Sequence, residues 1–346
     1  MAKKNSLPGF NPKQVSKKLL TTLPERARDV IVSRFGLGKD SKKMTLEAIG
    51  KKYNITRERV RQIESYSLKT IRKSKGYEES RGHFEELKEV VKTLGGIVKE
   101  TDLLEHISKN KSIQNHIHFM MVLGEHFKRE KENEEFHHRW HINQELSEKI
   151  HQALRKLYHS LSDNQILPES ELIKSFLNHL KDVSDEYKKE EIMKRWLSIS
   201  KKIGKNPLGE WGRAHSPNIK AKGVRDYAYL VIRRHGSPIH FREVARLIEE
   251  IFKKRAHVAT THNELIKDPR FVLVGRGLYA LTEWGYMKGV VKDVIKAVLQ
   301  KHGPLGRNEI IDKVLKERYV KENTILVNLQ NPKQFKKDKE GRYQTV

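Results

Sequence analysis

The chain has 346 residues, with 70 Lys and Arg against 44 Asp and Glu, a formal charge of +26 and a pI near 9.9; its expected partner is a polyanion. Cysteine is absent, which excludes disulfides and thiolate metal sites and fits a reducing compartment, with the cytoplasm as the default. Only 36% of residues are hydrophobic, yet they recur in ordered patterns, so several small cores are expected rather than disorder.

Residues 1–20 read as a basic N-terminal tail. They hold no apolar leader segment, and no stretch of the chain approaches the ~18 apolar residues of a membrane span, so neither secretion nor a membrane partner is expected. Residues 21–76 form the first expected domain. Thr45 is a candidate N-cap before a short helix in which Leu46 and Ile49 share one side. "YNI" breaks that helix, and Thr56 is the N-cap of a second one. Val60, Ile63, Leu68 and Ile71 then fall on one face, and Glu58, Gln62, Ser65 and Lys69 on the other, with Arg59 and Arg61 at its flanks and Arg57 in the first turn. From Arg57 to Lys73 there are six basic and two acidic residues. Two short helices with a tight turn, the second polar and basic outside, have the form of a major-groove reader. Arginine forks match guanine, Gln can pair with adenine, Glu can accept from cytosine, and flanking cations can meet phosphates. A solvated helix of an ordinary bundle has the same periodicity.

The words "RFGL" (34–37), "TLEAIG" (45–50) and "TRERVRQIE" (56–64) carry more than periodicity. Residues 23–73 resemble region four of bacterial housekeeping-type sigma factors, the module that reads the −35 promoter element. The resemblance implies base readout by Arg57, Glu58 and Gln62 with Arg61 beside them, and a phosphate contact at Thr45. Thr56, Arg59 and Lys69 complete the expected phosphate-contacting set. It also implies RNA polymerase core, through the β-subunit flap, as a partner. Some twenty residues precede the module, too few for the region that melts the −10 element, so a stand-alone initiating sigma factor is not expected.

After a polar, glycine-containing hinge at 73–83, one pattern recurs four times: an apolar helix, a turn, and a second helix opened by an acidic residue. The acidic landmarks are Asp102, Glu171, Glu243 and Glu309, spaced roughly 70 residues apart, longer than a solenoid repeat and suited to a small domain. In the third copy a further helical segment leads to "RFVLVGRGLYALTEWG" (270–285), which reads as strand, Gly-Arg-Gly turn, strand. Helix, helix, helix, hairpin is a winged helix. The expected fold is therefore mainly α: a helix-turn-helix followed by an array of about four winged helices with short β-hairpins, at 84–145, 147–215, 223–286 and 288–346. The words "GSPIHFREV" and "GRGLYALTEWG" make the third unit resemble the HARE-type helix-turn-helix, a winged-helix module seen in the δ subunit of some bacterial RNA polymerases, in restriction endonucleases and in chromatin proteins. Arg276 in the third wing and Lys336, Lys337 and Lys339 in the fourth are candidate phosphate contacts. Trp140, Trp196, Trp211, Trp284, Phe271 and Tyr279 are expected in core or hairpin packing.

No catalytic constellation is apparent, so an enzyme is not expected. Histidines cluster between 106 and 159, but "HIH" (116–118) reads as helix, and with neither cysteine nor "HExxH" no metal is expected. Glu186 and Lys188 have an ExK-like nuclease spacing inside a solvated charged run. No phosphate loop, cofactor site or small-molecule site is evident. The function expected is a sequence-specific, sigma-like transcription regulator that binds double-stranded DNA and acts with RNA polymerase in the nucleoid-containing cytoplasm. Two alternatives fit the same residues: a δ-like polymerase accessory whose winged helices bind protein, and a non-specific nucleoid protein.

Overall fold

The protein, seen here as a computed structural model describing residues 8–180 and 182–346, is mainly helical, with small antiparallel sheets of two or three strands. It divides into two units: residues up to Gly204 together with Trp211–Ala214, and Lys205–Glu210 together with His215–Val346.

The first unit begins with α1 (Pro12–Leu20), where a tail is expected from the sequence. Asn11 caps it by accepting from the Lys13 amide, and Val15, Leu19 and Leu20 are buried. Residues 1–7 of that expected tail lie outside the described residues. Helix α2 (Glu25–Phe35) follows Pro24 and ends at Gly36, whose φ of 66° is the left-handed C-cap geometry that glycine adopts without a Cβ penalty. Next come α3 (Leu46–Tyr53), α4 (Arg57–Arg72) and α5 (Lys75–Glu79). The stretch expected as a hinge is thus helical, and Tyr77 anchors it: the ring packs 4.9 Å from Phe84 and the hydroxyl donates to the Leu123 carbonyl. A buried aromatic outweighs the polarity of its neighbours.

The chain then runs α6 (Arg81–Thr93), β1 (Ile97–Lys99), α7 (Glu100–Ile107), α8 (Lys111–Leu123), β2 (Lys128–Glu130) and β3 (Arg139–His141), with sheet order β1-β3-β2. Helix α8, which contains "HIH", is buried around most of its circumference, including Gln114, Asn115 and His116. One side packs on α6, and the other joins α1, α2 and the end of α4 in a single core containing Leu19, Ile31, Phe35, Ile71, Phe119 and Met120. Polar bonds lock this seam. Asn115 Nδ2 donates to the carbonyls of Gly36 (3.0 Å) and Ser41 (2.9 Å), while Arg72 donates to those of Val122 (2.7 Å) and Leu123 (2.9 Å) at the C-terminus of α8. The chain continues with α9 (Gln144–Ser160), α10 (Glu169–Asn178), α11 (Glu190–Leu197) and the pair β4 (Ile203–Lys205) and β5 (Trp211–Arg213).

The second unit repeats the order helix, strand, helix, helix, strand, strand: α12 (Val224–His235), β6 (Ile239–His240), α13 (Phe241–Phe252), α14 (Val258–Lys267), β7 (Phe271–Gly275) and β8 (Leu278–Leu281), with sheet order β6-β8-β7. It closes with α15 (Val291–His302), α16 (Arg307–Glu317), α17 (Glu322–Leu329) and the hairpin β9 (Phe335–Lys337) and β10 (Tyr343–Thr345). All four acidic landmarks sit in the first turn of a helix, where a carboxylate complements the helix dipole. Trp140, Trp196, Trp211, Phe271 and Tyr279 are buried and Trp284 is half-buried, and the indoles of the first three donate to Glu100, Gly95 and Glu169, respectively. Among the described residues no helix is long and apolar enough to cross a membrane, and no group of three His, Asp or Glu side chains is placed to hold a metal ion.

Candidate nucleic-acid interface

The helix-turn-helix is built on three fully buried aliphatic side chains, one from each helix: Val30 of α2, Ile49 of α3 and Val60 of α4. Each such burial is worth about 1.5–3 kcal/mol, enough to hold three short helices that would not persist alone. The turn between α3 and α4 is closed by Asn54 in the left-handed region (φ 50°) and by the Ile55 amide donating to the Gly50 carbonyl at 3.0 Å. Gly50 itself leaves no room: a Cβ there would lie 2.6 Å from the Ile55 carbonyl oxygen. Two further contacts brace the module. The Tyr53 hydroxyl and Lys52 both reach Asp29, whose pKa is lowered chiefly by the Tyr53 hydrogen bond, and Arg34 donates to the Met44 carbonyl at 3.2 Å while lying 3.4 Å from Glu64.

Thr45 and Thr56 cap the two helices, accepting from the amides of Ala48 (3.1 Å) and Arg59 (3.2 Å). Both threonines are exposed, at helix N-termini where backbone N–H groups favour an anion. Along α4 the expected periodicity holds. Val60 and Ile71 are buried, Ile63 and Leu68 are half-buried, and Arg57, Glu58, Arg59, Arg61, Gln62, Ser65 and Lys69 are exposed.

Four of the expected contact residues are already paired along the helix. Arg61 forms a fork on Glu58 (2.7 and 2.9 Å), which holds that carboxyl below its usual pKa, and Arg59 donates to Gln62 at 3.1 Å. Exposed pairs of this kind are weak, so a base edge can displace them at little cost. Arg57 has no hydrogen-bond or ion-pair partner among the described residues and projects from the first turn. This face also carries an aromatic side chain that the sequence pattern does not single out. Tyr66 is 69% exposed one turn beyond Gln62, bordering an open groove of about 690 Å³ lined by Arg26, Ala27, Ile55, Arg59 and Ile63. Its signal was an aromatic residue at i+4 from a polar contact position.

These helices are also where the chain resembles known proteins. Residues 19–73 match sigma-70, region 4. Similar proteins include the RNA polymerase sigma factor RpoD of Helicobacter pylori, 56% identical over 54 residues (16% of this chain, 8% of the relative). The sigma factor SigA of Clostridium acetobutylicum is 49% identical over 55 residues (16% and 14%), and SigA1 of Synechococcus elongatus is 50% identical over 54 residues (16% and 13%). The chain therefore spans only about a tenth of the length of these relatives, and the similarity covers the region-4 module alone.

The hairpin candidates lie apart from this module in sequence and belong to the second unit. Arg276 is exposed in the turn between β7 and β8. Lys336, Lys337 and Lys339 are exposed on and beside β9, where Asp338 and Glu340 share Arg342 and dilute the local charge. In the first unit, the loop between β2 and β3 is acidic and occupied. Phe136 bridges to Ser200, Glu132 pairs with Lys201, and Glu135 pairs with Arg155 at 2.8 Å.

Proposed function

We propose that the protein is a non-enzymatic, sequence-specific DNA-binding regulator of transcription that acts with bacterial RNA polymerase in initiation. Helix α4 lies in the major groove of a −35-like element, with Arg57, Glu58, Arg61 and Gln62 at base edges. Thr45, Thr56, Arg59 and Lys69 face phosphates. The observation that carries this reading is the fully solvent-facing polar and basic side of α4, packed from behind by Val60 and Ile71, within the stretch that matches sigma-70 region 4. The four three-helix segments after residue 80, each ending in a paired hairpin, support winged helices, with 223–286 of the HARE type; their wings extend the backbone contact through Arg276, Lys336, Lys337 and Lys339. The polymerase flap and the nucleoid are the corresponding partner and location.

Selection from a random duplex pool with the full chain tests the proposal: one motif should be enriched. Arg57→Ala should then cost about 1–3 kcal/mol at a single base step, whereas Lys69→Ala should weaken all sequences alike. Equal losses for Arg57→Ala on selected and random duplexes would refute base readout. A second reading, a δ-like accessory whose winged helices bind protein, is favoured by α8, which is buried against protein and unavailable to a groove.

A further inference from the structure

The seam between the region-4 module and α8 brings to one place cations that are far apart in sequence. Arg34 ends α2 and bonds the Met44 carbonyl, next to Lys43 and one residue before the Thr45 cap. Asn115 fastens the loop carrying Gly36 and Ser41 to α8, and Lys111 lies one helical turn before Asn115 on the same face. His118, further along α8, lies 5.9 Å from Phe35 and 3.8 Å from Glu100, and Glu100 holds Arg129 of β2 at 2.6 Å.

The charges gathered here do not balance. Glu64 lies beside Arg34 and Glu100 pairs with Arg129, but neither Lys43 nor Lys111 has an ion-pair partner among the described residues. Both lysines are exposed. His118 adds no charge near neutrality, because burial pushes its pKa down to about 4. The Lys43 ammonium pKa is lowered chiefly by partial burial; Glu100 opposes this, and Lys111, Arg129 and Arg34 each add to the lowering. Four cations against the two carboxylates of Glu64 and Glu100 leave a local positive excess that favours an anion, and the adjoining N-terminus of α3 is the phosphate-facing end in the proposed function.

We propose that Arg34, Lys43, Lys111 and Arg129 form a phosphate-binding cluster for the DNA backbone that extends the contact of α3. Half of it is supplied by the segment after residue 80, so the region-4 module by itself lacks Lys111 and Arg129. The assignment rests on the proposed DNA-binding function and enlarges its footprint.

The test uses the full chain, with Lys43→Gln, Lys111→Gln and the double variant binding the selected duplex across a salt series. Each substitution should reduce the slope of log affinity against log salt by about 0.9, and the pair by about twice that, with base preference unchanged. Phosphate-ethylation interference should lose its outermost sites, and the Lys43→Arg, Lys111→Arg double variant should retain the wild-type slope and sites. A wild-type slope and wild-type interference pattern in the double Gln variant, while Arg57→Ala still shifts base preference, would overturn the cluster and leave the function standing. Failure of the function is a different result: no enriched motif, with Arg57→Ala indifferent to sequence. A slope loss on random duplexes would still support the cluster in that case, and no duplex binding by the wild-type chain would sink both.

Discussion

Gly50→Ala sets two effects of opposite sign against each other. Gly50 is a helical residue of α3, so helix propensity alone has alanine stabilising the protein by about 0.8–1 kcal/mol. The added methyl, however, would meet the Ile55 carbonyl oxygen at 2.6 Å, and that oxygen is backbone, in a turn whose own amide is bonded to Gly50. Relief requires α3 and α4 to move apart, which loosens the Val30–Ile49–Val60 contact; overpacking of this kind costs about 1–3 kcal/mol. The net expectation is destabilisation by about 1 kcal/mol, with faster hydrogen exchange at the Ile49 and Val60 amides. Displacing α4 from its bed should also cost duplex affinity about tenfold or more, since one bidentate base contact is worth about 1–3 kcal/mol. Gly82→Ala is the control: it is helical and has nothing within 4 Å of a new Cβ, so it should stabilise by about 0.4–1 kcal/mol without touching DNA binding. If Gly50→Ala matches Gly82→Ala in both exchange and affinity, the argument from the tight turn is wrong.

Asn115→Ala should destabilise the first unit by about 1–3 kcal/mol, because it removes the donor serving the Gly36 and Ser41 carbonyls in a buried seam; a lowered urea midpoint checks this. Acid should loosen the same region. Burial, with Lys13 adding to it, pushes His116 down to about 4, below its unfolded value near 6.5, so the unfolded chain binds the extra proton between these pH values. Stability is therefore complete above pH ~6.5 and falls by roughly 3 kcal/mol from this residue as pH drops to ~4. His151 adds to the trend, since its Nε2 accepts from Arg139 Nε at 2.6 Å and must be unprotonated to do so. His116→Leu, at a ring whose Nδ1 has no hydrogen-bond partner among the described residues, should flatten the urea midpoint's dependence on pH over that range.

The legible parts of this protein were local ones. Thr45 and Thr56 bond amides three residues away, and the outward face of α4 follows from 3.6 residues per turn, so caps, helix starts and the exposure of Arg57, Glu58, Arg61, Gln62 and Lys69 could be read along the chain. The hairpin at 270–285 and the acidic first turns are equally short-range. Helix α1, the burial of Tyr77 and the enclosure of α8 were not legible. Polar residues such as Gln114, Asn115 and His116 have no local reason to be inside. They are buried because carbonyls and apolar faces from residues 15–41 arrive opposite them, some 74 to 79 residues away for the Asn115 bonds. Likewise, the outward face of α4 is legible from its own periodicity, but only packing brings Lys43 and Lys111 together, because electrostatic neighbourhood depends on distance through space and the chain's order carries no record of it.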